Sequence, residues 1–167
     1  MIIAGIDPGL KGAIAFNKNG KKIKVFSMPT LKITKTKNTM DENVIRYYLR
    51  KYDLDHVFIE KVSAMPGQGV TSMFNFGCGY GILRGICVGL ALSYTLITPQ
   101  AWKKVICAGM PKSKEASIII AKRLYPKINL LPTPRSRKDS DGMADAVCIA
   151  EYGRRIIMGE TGELLQV

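Results

Sequence analysis

Short apolar runs alternate along this chain with stretches whose apolar residues recur every three to four positions. The two periods divide it into strands and helices. Residues 2–6 are apolar throughout and end at Asp7, with Pro8-Gly9 behind it. That is the pattern of a buried strand with a carboxylate at its end. Residues 12–16 predict a second strand, and Asn17-Lys18-Asn19-Gly20 is a hairpin turn signal. A third strand over 22–28 sets charged residues against Ile23, Val25 and Phe26, as a half-exposed strand would. Residues 30–38 are polar and rich in lysine, and read as a loop that is mobile or lies against a partner.

Helical periodicity begins after that loop. Thr39 and Glu42 form a capping box for a helix over 39–52, whose apolar face is Val44, Ile45, Tyr48 and Leu49. A strand over 57–62 follows His56, expected at the surface, and carries a second terminal carboxylate at Glu60. After a loop at 65–69, residues 70–92 predict a long helix in which Gly77, Gly81, Gly85 and Gly89 recur every fourth position. Each glycine costs a helix about 0.8–1.0 kcal/mol against alanine. The repeat therefore predicts close internal packing along that stripe, with the rest of the helix free for a dimer contact.

Residues 94–97 predict a short strand and 100–107 a helical piece. Ser113 is placed to cap a helix over 114–124. The proline-rich, basic stretch 130–140 reads as an exposed connector. The last helix covers 141–158 and residues 159–167 read as a frayed tail. The sum is an α/β chain with one domain over 1–158.

Composition narrows the function. Lysine and arginine total 25 against 13 acidic residues, a net charge of +12, which points to a polyanionic partner, nucleic acid before a membrane surface. The run 73–97 is long and apolar, but Asn75, the glycines and Arg84 argue against insertion. An arginine at a bilayer centre costs about 2.5–3.5 kcal/mol on insertion scales. No basic leader precedes the first strand, which argues against secretion. Cys78, Cys87, Cys107 and Cys148 are scattered, without a C-x-x-C pair, and with one histidine they argue against zinc. Free thiols in a reducing cytoplasm, of a bacterium or a phage-infected host, are the simple account.

The candidate chemistry lies in four acids. Asp7 alone would read as a turn residue. Glu60 ends a second strand of the same design, and parallel pairing would set the two side by side. Asp141 and Asp145 are four apart, on one face of the last helix. Brought to the strand ends, the four would need cations, and hard oxygen donors select Mg²⁺ or Mn²⁺. Two such ions about 3.5–4 Å apart suit phosphodiester cleavage.

Three segments then carry a resemblance: Gly5-Ile6-Asp7-Pro8-Gly9, Phe58-Ile59-Glu60-Lys61-Val62, and Asp141-Gly142-Met143-Ala144-Asp145-Ala146-Val147. With Thr98-Pro99, Trp102-Lys103-Lys104 and Lys114, this ordered set resembles the RuvC-type Holliday junction resolvases of the ribonuclease H-like superfamily, most of all their phage-like members. The resemblance implies a five-stranded mixed sheet flanked by helices on both faces. It implies a homodimer that nicks a four-way DNA junction in symmetric pairs, with two Mg²⁺ ions, replaceable by Mn²⁺, and no small-molecule cofactor. Asp7, Glu60, Asp141 and Asp145 would bind metal, Lys103 and Lys114 would lie near the scissile phosphate, and Lys114 would join the acids in catalysis. Lys103, Lys104, Lys112, Arg135, Arg137 and Lys138 are the candidate DNA contacts.

Two departures stand out. Cellular bacterial members usually space the last two acids three apart, which makes Asp139 an alternative ligand. Ser63 stands where members carry an aromatic residue, and Phe74 and Phe76, though able to stack, are assigned to the core. Rival readings are a nuclease for flaps and forks, a non-catalytic junction-binding protein, and an ATP-binding domain suggested by Asp7-x-Gly9-x-x-Gly12.

Overall fold

The computed structural model describes residues 1–63, 67–111, 113 and 115–161. In chain order its elements are β1 (Ile2–Asp7), β2 (Ala13–Lys18), β3 (Lys22–Ser27), β4 (Thr30–Lys32), β5 (Asn38–Met40), α1 (Glu42–Lys51), β6 (His56–Glu60), α2 (Val70–Gly89), β7 (Tyr94–Ile97), α3 (Pro99–Ile106), α4 (Ala116–Leu124) and α5 (Asp141–Ile157). The main sheet has five strands in the order β3-β2-β1-β6-β7. β2 is antiparallel to both β1 and β3, while β1 and β6, and β6 and β7, run parallel.

Side-chain alternation explains the layers. Ala4 and Ile6 of β1, with Ile14, Phe16, Val57 and Ile59, face Ile45 and Leu49 of α1 and Leu83 and Cys87 of α2. Ile3, Phe58 and Ile97 face the other way, onto Trp102 and Ile106 of α3 and Cys148, Ile149 and Tyr152 of α5. The expected mixed sheet with helices on both faces is therefore present. The β2–β3 hairpin turns at Asn19 and Gly20, which take φ of 53° and 69°, and the Lys21 N–H closes the turn on the Lys18 carbonyl.

Several local expectations need correction. The loop expected over 30–38 contains a two-stranded ribbon of β4 and β5. Leu31 and Ile33 carry its period of two but stay exposed. Hydrogen bonds at its turn help close it: the Ile33 N–H reaches the Lys37 carbonyl at 2.8 Å, and Thr34 Oγ1 accepts from Lys37 at 3.1 Å. Thr39 pairs with Leu31 in this ribbon, so it cannot cap α1. Asp41 does so instead, accepting from the Val44 N–H at 3.1 Å.

In α2 the buried row is Gly79, Leu83 and Cys87. The repeat Gly77, Gly81, Gly85, Gly89 lies about two residues round the helix, and a Cβ built on any of them meets nothing within 4 Å. The stripe expected to pack internally is open. Ser113 does not cap α4 as expected: the helix begins at Ala116 with Glu115 at its N-cap and no side-chain cap bond, and Ser113 contributes only its carbonyl, which accepts from the Ala116 N–H at 3.3 Å. His56 is half-buried rather than at the surface, with Nε2 and Thr95 Oγ1 2.8 Å apart. Of the tail expected over 159–167, residues 162–167 lie outside the described residues, and Glu160 is held by its carboxylate, which accepts from Arg154 at 2.7 and 2.8 Å.

The feature that positions the site is the passage of α5 over β1 and β2. A Cβ on Gly5 would lie 2.2 Å from the Ala150 nitrogen and 2.5 Å from the Ala146 carbonyl oxygen. Only a residue without a side chain lets the helix axis come this near the strand. Because both opposing atoms are backbone, neither can swing aside. Gly5→Ala is expected to destabilise the fold by at least about 3 kcal/mol, the upper end for an overpacked core. Urea titration of the purified variant measures this.

Candidate active site

The parallel register of β1 and β6 pairs Ile6 with Ile59, so Asp7 and Glu60 are neighbouring strand ends. The connector 130–140 closes with the Ser140 N–H on the Leu130 carbonyl at 2.8 Å, and the Ser140 hydroxyl caps α5 by accepting from the Met143 N–H at 3.3 Å. This cap starts α5 at Asp141 and puts Asp145 one turn further along. Gly142 rests on the turn after β1: a Cβ there would lie 2.4 Å from the Lys11 carbonyl oxygen and 2.9 Å from Asp7 Oδ2. Asp7, Asp141 and Asp145 line one open cleft with Gly9, Lys11 and Phe76.

Burial and mutual repulsion shape the charge of this group. Burial, then the charges of Glu60, Asp145 and Asp141, push Asp7 up to about 8, with the Lys103 ammonium opposing them. Burial also raises Glu60 and Asp145 above the ordinary carboxylate range. Glu60 is partly relieved by a hydrogen bond from the Trp102 indole N–H at 2.8 Å, and Asp145 by one from Ser117. Lys103 opposes the rise in all three acids. The structure thus brings together Asp7, Glu60, Asp141, Asp145 and Lys103.

Other candidates fall elsewhere. Lys112 and Lys114 lie outside the described residues. Lys104 is exposed on α3, and Arg135, Arg137 and Lys138 are exposed on the connector that leads into α5. Asp139, the alternative ligand, is ion-paired with Lys122. Phe74 is 70% exposed, which corrects its assignment to the core. Phe76 is half-buried at the acid cleft, where its ring covers Gly9. Trp102 and Ser117 bond to acids without any signal in the sequence. Both contacts join residues distant along the chain, and no local spacing signals them.

The donor set fits a hard divalent cation. Four carboxylates supply oxygen ligands, and Asp145 Oδ1 is buried with no hydrogen-bond partner among the described residues. Among those residues no three acids form a ready-made cage. The group is therefore a set of acids placed near one another, in which Asp7, Glu60 and Asp145 are pushed toward their neutral forms by burial first and by neighbouring carboxylates second. A cation would remove that penalty.

The sheet order and its flanking helices define the class as a ribonuclease H-like α/β protein. The fold matches Thermus thermophilus RuvC in complex with a Holliday junction substrate, with a TM-score of 0.66 at 15% identity over 95% of this chain and 96% of that one. It also matches the yeast mitochondrial Holliday junction resolvase Ydc2, with a TM-score of 0.54 at 13% identity over 92% of this chain and 77% of that one. No protein-family model matches the sequence. The crossover junction endodeoxyribonuclease RuvC of Christiangramia forsetii is 28% identical over 155 residues, spanning 88% of this chain and 78% of that protein. The chain thus shares its fold with the RuvC structure and resembles the Christiangramia forsetii RuvC in sequence, each over most of its length.

The raised Asp7 gives a signed expectation. An aspartate at its ordinary 3.8 when unfolded and about 8 when folded costs stability progressively as pH rises through that interval, and the full amount above it. Without divalent ions, Asp7→Asn should match the wild type near pH 4. It should gain on the order of 1–3 kcal/mol by pH 8. Thermal melts in chelator across that range measure the difference.

Proposed function

We propose that this chain is a structure-selective endonuclease that resolves four-way DNA junctions by paired symmetric nicks. The observation that carries the reading is the convergence of Asp7, Glu60, Asp141 and Asp145 at one end of the sheet of a strongly basic chain. Asp7, Glu60 and Asp145, with the more exposed Asp141, would hold two Mg²⁺ ions, or Mn²⁺ in their place. Bound there, divalent ions supply an activated water and neutralise the leaving oxygen. Lys103 stands beside the acids, where its ammonium can meet a phosphate oxygen.

The basic residues suit the same substrate. β1 ends, β2 begins and β3 ends on one edge of the sheet, so the β4–β5 ribbon leaves from the acid end. It carries the exposed Lys32, Lys35 and Lys37, while the exposed Arg135, Arg137 and Lys138 lie on the connector that leads into α5. Lysines and arginines around an acidic pocket hold the backbone phosphates, while the acids and their ions act on one of them. Lys112 and Lys114 belong to the same proposed set. No helix among the described residues is long and apolar enough to cross a membrane, and the free thiols suit action in the cytoplasm.

Paired nicking calls for two sites, and α2 offers a surface for a second copy. Val70 is 86%, Phe74 70% and Val88 67% exposed on a helix whose glycine stripe is open. A homodimer through α2 would cover these residues and let two backbones approach along the glycines. Gly85→Leu has room in the single chain. It is expected to leave the circular dichroism spectrum intact and to shift the light-scattering mass from dimer to monomer. A wild type of monomeric mass while it cleaves would remove the dimer.

The activity is tested on end-labelled four-way junction and on linear duplex of the same sequence, with Mg²⁺, Mn²⁺ or Ca²⁺. Symmetric nicks in the junction alone, with Mg²⁺ or Mn²⁺, are the expected result. Asp7→Asn should lower the rate at least about 10³-fold while the junction still binds, because an amide loses the charge a metal ligand needs. Equal cutting of flaps and forks would widen the substrate. Binding without cleavage under every metal would leave a junction-binding protein.

A further inference from the structure

Trp102 is the only tryptophan in the chain, and it is wholly buried, at 0% exposure. It packs among Ile3, Phe58, Ile97, Ile106 and Ile149, in the layer between the sheet and α5. A large apolar ring explains that burial. The layer does not explain the polar edge. The indole N–H points out of the cluster and donates to Glu60 Oε1 at 2.8 Å. Over the ring face, the Lys103 ammonium lies 5.0 Å from the ring centroid. One rigid side chain therefore holds an anion at its edge and a cation at its face.

We propose that Trp102 is the positioning residue for Glu60, holding Oε1 by its N–H so that Oε2 is the oxygen offered to a divalent cation. This rests on the metal-dependent reading above. The indole suits the task for three reasons. Its N–H only donates, so the contact cannot invert as a hydroxyl or amide contact can. Its rotamer is fixed by the packed layer around its ring, away from the open cleft. Its bond goes to a carboxylate, and charge-assisted bonds are about twice as strong as neutral ones. Partners that orient a metal ligand in this way commonly account for about 10–100-fold in metal affinity. The same ring fixes where Lys103 starts, so Glu60 and the nearest cation are set by a single group. The hydrogen bond also opposes the rise that burial imposes on Glu60, in keeping with a contact to the ionised form.

A single tryptophan makes the proposal directly readable. The full-length chain labelled with ¹⁵N gives one indole resonance in a proton–nitrogen correlation spectrum. In chelator, Glu60→Ala is expected to move that resonance upfield, as loss of a carboxylate acceptor should. Added Mg²⁺ should move the wild-type indole resonance saturably, together with the backbone resonances of Asp7 and Asp145. Trp102→Phe, which keeps an aromatic ring in the layer, should bind Mg²⁺ about 10-fold more weakly by calorimetry. It should lower kcat on the junction and leave KM nearly unchanged. An indole that stays still while the Asp7 and Asp145 resonances titrate overturns the positioning role and leaves the metal site standing. Wild-type Mg²⁺ affinity in a folded Trp102→Phe does the same. If no resonance responds to Mg²⁺, the metal reading and the role of Trp102 fail together.

Discussion

The approach of α5 to β1 is the constraint on which the rest depends. At Gly5 the helix backbone occupies the space of a side chain, and at Gly142 the helix start sits on the turn that follows Asp7. These two contacts fix the depth and rotation of α5 together. A helix standing further off, by the width of one methyl group, would carry Asp141 and Asp145 away from Asp7. Site geometry is thus set by backbone contact between two rigid elements rather than by loops. That is the kind of support a set of repelling acids requires.

The acids are a burden on the free protein. Asp7, Glu60 and Asp145 are all shifted toward their neutral forms, by burial first and by one another's charge for much of the remainder. Trp102, Ser117 and Lys103 soften the conflict without removing it. Natural folds tolerate such local conflict where function demands it, and offset it elsewhere. Here the offset is a well-filled layer on each face of the sheet, in which Ile3, Ile6, Ile14, Ile45, Leu49, Phe58 and Ile149 are essentially sealed from water.

Much of this was legible in the sequence because it was local. A carboxylate that ends an apolar run is visible without a structure, and Asp7 and Glu60 both stood out in that way. Asp141 and Asp145 were readable from helical spacing, as was the Asn19-Gly20 turn from its residue types. The failures have physical causes. A glycine every fourth residue defines a row on a helix, but spacing does not say which way the row faces. On α2 the row at 79, 83 and 87 won the core. Thr39 and Asp41 are both good caps, and the pairing of Thr39 with Leu31, a tertiary contact, decided between them. The bonds from Trp102 to Glu60 and from Ser117 to Asp145 join separate elements and have no sequence signature.

α5 is held differently at its two ends. Near its far end Glu151 is buried among Asn17, Tyr125, Arg154 and Arg155, with bonds of 2.8 to 3.0 Å. Burial would raise this carboxylate, but Arg154 and Arg155, with Tyr125, outweigh it and hold it at about 2. Its contribution is present at neutral pH and fades only as acid carries the protein from its ordinary 4.5 down through that value. The other end behaves in the opposite sense, since the cost at Asp7 grows as pH rises from its ordinary 3.8 toward about 8. One helix therefore has a clasp that loosens as pH falls below 4.5 and a seat that loosens as pH rises from 3.8 toward about 8. The metal-free protein should be most firmly closed in the mildly acidic interval between the two, and a bound cation would move that interval up to neutrality.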